Sequence, residues 1–568
     1  MPEKCKKIYV DFTSGKFETY KCEEDAVEDG LCIFHHPEYW KEHKDEVRKK
    51  FMEKVEDAIN SKKPLLCIDY NLPEVDLSKK KFEAPVYFTG AIFHEGADFS
   101  EATFSGADFS EATFSIADFR GATFSYIADF SEATFSSKAD FSEATFSIAD
   151  FSGTTFSNAY FSEATFSSKA DFSEATFSIA DFSEATFSIA DFSGTTFSDA
   201  NFRGTKFSYI ADFSEATFSN ANFRGATFSG ADFRGTTFSS IAYFSEATFS
   251  SKADFSEAIF SYIAYFYRTK FSDANFRGTT FFSTADFIKA TFSSKADFIK
   301  ADFEEVTAFE GLKTNNNSFI VFESCTFKKP HLVSFRGTEI MRFLFLSTEI
   351  EKISLRNAKF NEKILKVHEL LKDPKFQFKN PKSQTNYTFD DVIETYGRLR
   401  GNFERNHRFS EAGKFFVGEM EVRRMRKYYE FLREHEKSKK EGFKEWLSFN
   451  LNKLYLKVYT NFLSPFALYK AFSEYGESIL RPFLWSLLTI LVMPMFFILL
   501  GGRASLQSFI SSYGSNLVKS FGLFAQILPV DYPPPSLVTF IEVLERLLAI
   551  LFAGLELMAL KRRLERHR

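Results

Sequence analysis

Between Phe88 and Phe303 a phenylalanine returns every five residues, with an occasional step of six, and alanine usually stands two positions before it. From Ala97 to Gly121 the chain reads ADFSEATFSGADFSEATFSIADFRG, so the unit is A-(D/T)-F-(S/R)-(E/G), used about forty times. No helix has a five-residue period, and a simple strand repeats every two. Each unit is therefore a short extended segment followed by a corner. A large and a small apolar residue two apart point to the same side of such a segment, and the intervening Asp, Thr, Ser and Glu point away. Stacked coils bury Phe and Ala in one continuous ladder.

The pattern resembles the pentapeptide-repeat family, whose consensus is A-(D/N)-L/F-x-x, from residue 84 to about 306. The resemblance implies a right-handed quadrilateral β-helix with four pentapeptides per coil. Phe99, Phe104, Phe109 and Phe114 then occupy the four inner faces of one coil, with Ala97, Ala102, Ala107 and Ala112 beside them. The 42 regular Phe positions make roughly ten coils. At about 4.8 Å per coil the column is on the order of 50 Å long.

Ten steps are six residues long, starting at Phe93, Phe124, Phe135, Phe166, Phe207, Phe238, Phe249, Phe260, Phe281 and Phe292. They are separated by even numbers of repeats, which places every insertion on one of two opposite corners and predicts two columns of small bulges. Two readings of those corners stand: loops tolerated by an open surface, or a binding ridge.

The flanks make the fold multidomain: a right-handed quadrilateral β-helix followed by an α-helical segment and a two-helix membrane hairpin. Residues 1–60 read as a zinc-binding and helical N-terminal cap, 61–306 as the β-helix and 307–360 as irregular terminal coils. Residues 361–480 read as a helical linker with an interfacial helix, and 481–568 as the hairpin. In the cap, Trp40, Val47, Phe51, Val55 and Ile59 recur at helical spacing behind Pro37. Such a helix covers a β-helix edge that otherwise invites stacking by other chains. In the linker, Tyr396, Leu399 and Phe403 are expected to face Ala412, Phe416 and Met420 across a break near His407. Arg405, Glu411, Glu419 and Glu421 read as solvated faces and i,i+4 pairs.

Five cysteines are too few and too scattered for a disulfide scaffold. Cys5, Cys22, Cys32 and His35 form C-x16-C-x9-C-x2-H in a segment too small for its own core. Three thiolates and an imidazole supply a tetrahedral structural zinc site. The closing C-x2-H reaches one ion across a turn. The alternatives are His36 in place of His35, or reduced, unliganded thiols. Cys67 and Cys325 sit in apolar, strand-like settings and read as ordinary buried thiols. Reduced thiols imply a cytosolic N-terminus, and MPEKCKKIYVDF lacks the apolar core of a signal peptide.

Phe483 to Leu500 reads FLWSLLTILVMPMFFILL, eighteen residues without a charge. That is enough to cross about 30 Å of hydrocarbon as a helix, with Pro494 the expected kink. Upstream, Trp, Tyr, Lys and Leu mix as in an interfacial helix. Leu537 to Leu560 also has a spanning length but carries Glu542, Glu545, Arg546 and Glu556. On a helical wheel these fall with Ala549 and Ala553 in a stripe about 100° wide. Charges in a membrane helix face a bundle interior or a water-filled path, so the stripe is a pore lining or a polar helix–helix seam. Glu542 and Arg546 are spaced to pair on one turn. Positive residues flanking both helices on one side place both termini and the β-helix in the cytoplasm.

The hairpin is also similar to the two-helix pore domain of potassium-type channels, with SNLVKSFGLFAQIL as pore helix and PVDYPPP leading to the inner helix. It departs from that family at the filter, where T-V-G-Y-G is absent. Ser511-Ser512-Tyr513-Gly514 echoes it faintly and falls before the pore helix instead of after it.

Net charge is −6 over 568 residues. The repeat run carries roughly twice as many acids as bases, which argues against binding nucleic acid and suits a basic protein partner. Some pentapeptide-repeat proteins imitate duplex DNA; the membrane-like C-terminus points elsewhere. No nucleophile–base pair, P-loop, dinucleotide fingerprint or HExxH helix occurs, so an enzyme is not expected. Two readings follow. One is a membrane-anchored scaffold in contact with the lipid bilayer, homo-oligomeric through its hairpin. The other is a cation channel with a cytoplasmic repeat sensor.

Overall fold

The computed structural model describes the chain apart from residues 1–2, 12–17, 316–317, 340–342, 359–388, 436–442, 501–505, 526–536 and 566–568. It divides into two compact units, Met1–Phe360 and Asn361–Arg568.

In the first unit the five-residue period becomes a parallel β-solenoid of about 13 turns. Each turn lends one strand to each of two ladders. Thr123–Asp129 pairs with Thr145–Asp150, Phe124 opposite Phe146 and Ala128 opposite Ala149. On the other ladder Thr113–Asp118 pairs with Thr134–Asp140, Phe114 opposite Phe135. Four columns of rings result. Phe99 stacks on Phe119 at 4.6 Å, Phe104 on Phe124 at 4.9 Å, Phe109 on Phe130 at 4.9 Å and Phe114 on Phe135 at 4.7 Å. Columns also meet edge to face, Phe109 lying 5.4 Å from Phe99 and 5.5 Å from Phe119. Both geometries suit the ring quadrupole, and these side chains are fully buried.

The corners explain the polar half of the unit. At Asp129 the carboxylate accepts from the Ser131 N–H at 2.9 Å and its hydroxyl at 2.6 Å, an Asx turn. The next residue, Glu132, sits at φ +56°, and Gly153 takes the same place at φ +65°. Where Gly is followed by Thr instead of Ala, the buried hydroxyl is satisfied: Thr195 Oγ1 donates to the Phe172 carbonyl at 2.8 Å.

The long steps do form two columns of bulges. On one ladder seven-residue strands (Thr123–Asp129, Thr165–Asp171, Lys206–Asp212) alternate with six-residue ones (Thr145–Asp150, Thr186–Asp191). The solenoid runs past the repeats at both ends, which accounts for turns beyond the expected ten. Leu65 pairs opposite Val86, and Ile320 opposite Phe343, so other apolar residues fill the inward position without the pentapeptide signature.

The N-terminal segment closes one end. Strands β1 (Ile8–Asp11) and β2 (Glu18–Lys21) pair antiparallel. Helix α1 (Tyr39–Glu42) leads into α2 (Lys44–Ser61), which buries Val47, Phe51, Val55 and Ala58. Phe51 meets Phe88 at 6.3 Å, so the helix covers the first rings of the column. Ala58 takes the buried place expected of Ile59, which is half-buried.

The second unit is helical: α3 (Phe389–Arg405), α4 (Phe409–His435), α5 (Phe443–Val458), α6 (Pro465–Ser473), α7 (Leu480–Leu500), α8 (Leu506–Phe524) and α9 (Leu537–Glu565). The α3–α4 hairpin turns at His407, φ +56°. Phe403 stacks on Phe415 at 5.3 Å, so Phe415 replaces the expected Phe416. Phe416 instead carries the Arg400 and Arg562 guanidinium groups. Glu419 and Glu421 are not solvated. Glu419 pairs with Arg400 and Arg423 at 3.0 Å. Glu421 pairs with Arg424 and Lys470 at 2.8 Å and accepts from the Tyr475 hydroxyl. These bonds tie α4 to α6 and the turn after it.

Among the described residues no helix is long and apolar enough to cross a membrane. The expected first span is only partly among them: α7 runs unbroken through Pro494, but the side chains of Phe497, Leu499 and Leu500 lie outside the described residues, as does PVDYPPP. The filter-like Ser511–Gly514 stretch falls within α8. Its carbonyls belong to a helix and cannot line an ion path, which removes the resemblance to a potassium filter.

Candidate metal centre

The β1–β2 hairpin brings Cys5 and Cys22 together. The Cys22 N–H donates to the Lys7 carbonyl at 3.0 Å, and the Cys5 N–H to that of Glu24 at 3.0 Å. A turn then delivers the other two groups, with the His35 N–H donating to the Cys32 carbonyl at 3.1 Å. Cys5, Cys22, Cys32 and His35 are all buried, and their ligand atoms lie within 4.8 Å of one another.

Three of the edges are near those of a tetrahedral zinc site, with His35–Cys32 the shortest. Zinc–sulfur bonds of about 2.3 Å set S···S edges of about 3.8 Å and S···N edges of about 3.6 Å. Cys22 Sγ lies 3.8 Å from Cys32 Sγ. His35 Nδ1 lies 3.1 Å from Cys32 Sγ and 3.4 Å from Cys5 Sγ. The Ile68 carbonyl 3.0 Å from His35 Nε2 can only accept, so Nε2 carries the proton and Nδ1 turns a lone pair to the sulfurs. An outer partner of this kind orients a ligating imidazole. Between Cys22 and Cys32 a shared hydrogen bond lowers the first thiol's pKa and raises the second's.

His36 belongs elsewhere. Its Nδ1 accepts from the Tyr39 N–H at 3.0 Å, at the start of α1. Cys67 and Cys325 are buried and do not belong to the cluster, and burial pushes the Cys67 thiol up to about 12.

The charged stripe of α9 is partly reassigned. Glu542 is buried against Lys519 and not paired with Arg546, and Glu545 is fully buried, accepting from the Ser520 hydroxyl. Ala549 is buried with them, whereas Ala553 is exposed and Glu556 and Arg546 are half-buried. The buried line continues instead through Phe552, Leu555 and Ala559. Glu545 Oε2 and Arg546 Nε are buried without a hydrogen-bond partner. Outward, the same helix presents Leu547, 59% exposed, and Ile550, 56% exposed.

A cluster the repeat pattern did not single out lies near the end of the solenoid. Arg268, Lys270, Lys289 and Lys313 line one cleft. Their only sequence signal is a basic residue where most turns place Glu or Thr.

Residues 88–280 match, in overlapping segments, the family model described as pentapeptide repeats (9 copies). No curated protein matches the chain. The solved structure of HetL, a pentapeptide repeat protein involved in heterocyst differentiation regulation from the cyanobacterium Nostoc sp. strain PCC 7120, is similar at 17% identity. That match covers 49% of this chain and 97% of HetL, with a TM-score of 0.15. Stacked phenylalanines, Asx corners and the family match together make residues 88–280 of this chain a run of pentapeptide repeats wound into a β-solenoid.

Proposed function

We propose that this chain is a non-enzymatic scaffold held at the cytoplasmic face of a membrane. Its acidic rod receives a basic protein partner, its C-terminal helices enter the bilayer and associate with copies of themselves, and a structural zinc on Cys5, Cys22, Cys32 and His35 fixes the cap. One observation carries the membrane reading: α7 and α9 turn many large apolar side chains outward while α9 buries two carboxylates. Glu545 is 0% exposed while Leu547, Phe540 (64%) and Leu557 (67%) on the same helix face outward. On α7, Phe483, Leu484, Leu487, Leu488 and Leu491 are exposed as well. Large exposed apolar patches mark interaction or membrane sites; lipid accepts such side chains and drives carboxylates inward. Membranes from cells expressing the full chain, washed with alkaline carbonate, test it. The chain is expected to stay in the pellet until detergent releases it; recovery in the wash overturns the reading.

The cation-channel reading keeps one specific support, the unpartnered Glu545 Oε2 and Arg546 Nε inside the helical unit. Recordings from purified protein in planar bilayers separate the two. Currents altered by Glu556→Leu favour a channel, and silence at every voltage and ion composition leaves the scaffold.

A further inference from the structure

On this rod the lysines inserted at the long steps, Lys138, Lys169, Lys252 and Lys295, are each neutralised by the aspartate two residues on. Lys169 meets Asp171 at 2.7 Å, Lys252 meets Asp254 at 2.7 Å and Lys295 meets Asp297 at 2.9 Å. Near the C-terminal end of the solenoid the arrangement changes. Corners that carry Glu143, Glu163, Glu184 and Glu246 on earlier turns carry Arg268 and then Lys289. The neighbouring strand column places Lys270 opposite Thr291 and Thr291 opposite Lys313. The two lysines are thus two turns apart, about 10 Å, with a hydroxyl between them.

These groups surround a cleft of about 790 Å³, the size of a small-molecule site. The depression exists because the next two corners lose their side chains. Gly311 and Gly337 sit at φ +60° and +70°, and a Cβ on Gly337 would enter open space. Arg268 and Lys289 both lie over the Tyr267 ring, at 5.1 and 5.9 Å. Arg268 approaches Glu246 at 3.6 Å. Among the described residues no carboxylate comes within ion-pair distance of Lys270, Lys289 or Lys313, although Glu339 also borders the cleft. Three lysines without an ion pair converge with Arg268 on one concavity, and together they suit an anion from outside.

We infer that this cleft binds a phosphate-bearing small anion with more than one negative charge. Spaced ammonium groups suit several phosphates at once, lysine acting as a point charge toward each, with the Thr291 hydroxyl and the Tyr267 ring beside them. The same chemistry occurs in a soluble polyphosphate compound and in a phosphorylated lipid headgroup, and the experiment separates these sources.

Calorimetric titration of the full chain in detergent with inorganic tripolyphosphate and with ATP reads the soluble arm. Flotation with phosphatidylcholine vesicles, plain or doped with a phosphatidylinositol phosphate, reads the lipid arm. Saturable binding is expected in at least one arm, weakening with salt. It is expected to fall about tenfold or more in Lys289→Glu/Lys313→Glu, whose positions are exposed. Lys295→Ala, already matched to Asp297, serves as control and is expected to keep it. Circular dichroism checks that the variants keep the solenoid. Lysine-dependent binding of tripolyphosphate or ATP assigns a soluble ligand. Lysine-dependent binding of doped vesicles alone assigns a headgroup. No saturable binding in either arm, or equal binding by the folded double variant, overturns the inference.

Discussion

His35 donates its Nε2 proton to the carbonyl oxygen of Ile68 across 3.0 Å. Ile68 lies just after the first solenoid strand, Leu65–Leu66, so one side chain joins the candidate metal centre to the start of the rod. A zinc ion on Nδ1 would fix the N-terminal segment against the first turns as well as hold its own loop. Purified reduced protein is expected to contain one zinc per chain by elemental analysis. Cys32→Ser is expected to abolish it and to raise protease sensitivity before Leu65. Acidification releases the metal, because protons compete for the thiolates. Zinc-free wild-type protein with an intact cap refutes the site.

The aspartate ladder is self-repulsive. Burial raises the Asp129 pKa, with Asp108 and Asp150 adding to it against the lowering bonds from Ser131. A carboxyl whose folded pKa exceeds its unfolded one destabilises the fold above that pKa, and the penalty shrinks as pH falls below it and is gone below the unfolded pKa. Asp129→Asn is therefore expected to raise the thermal midpoint at neutral pH, by an advantage that shrinks below the folded pKa and vanishes below the unfolded one. The chain already uses this device: Asn275 Nδ2 donates to Asp254 at 2.8 Å. Thermal melts of both proteins across pH check it.

Thr195→Val keeps the shape of the buried side chain but leaves the Phe172 carbonyl without the hydroxyl at 2.8 Å. A loss of about 1 kcal/mol is expected in denaturant titration. Phe130→Ala, in the middle of a ring column, is expected to cost about 3–5 kcal/mol by the same measurement.

An arginine at Leu547, on the outward face of α9, is expected to cost about 2.5–3.5 kcal/mol of bilayer insertion. Leu547→Arg is then expected to move from the membrane pellet to the soluble or aggregated fraction. Unchanged fractionation argues that this face does not meet lipid.

Much of the rod is legible in the sequence because the period is local. Phe99 to Phe119 is one turn, and each unit repeats the same inward pair and the same corner. Even the two bulge columns follow from counting steps. Its ends were legible only coarsely, as β-helix from residue 61 and irregular coils to 360, since Leu65, Val75, Ile320 and Phe343 do the same inward work without the A-x-F signature. Pairing among helices was legible only in part. Helical spacing places Glu542 near Arg546, yet Lys519 of another helix takes the carboxylate, and Phe415 displaces Phe416 from the α3–α4 seam.

By itself the sequence determined a stacked column with Phe and Ala inward and the Cys and His available for a metal, while four faces per turn were implied by the family resemblance. These depend on period and composition within a few residues. The tertiary structure decided that Cys5, Cys22, Cys32 and His35 meet, and that Nδ1 of His35 faces the sulfurs. It also decided that four cations from three successive turns open on one cleft. Such relations join residues tens of positions apart, and their geometry comes from hairpin register, turn stacking and missing Cβ atoms, which no local pattern encodes.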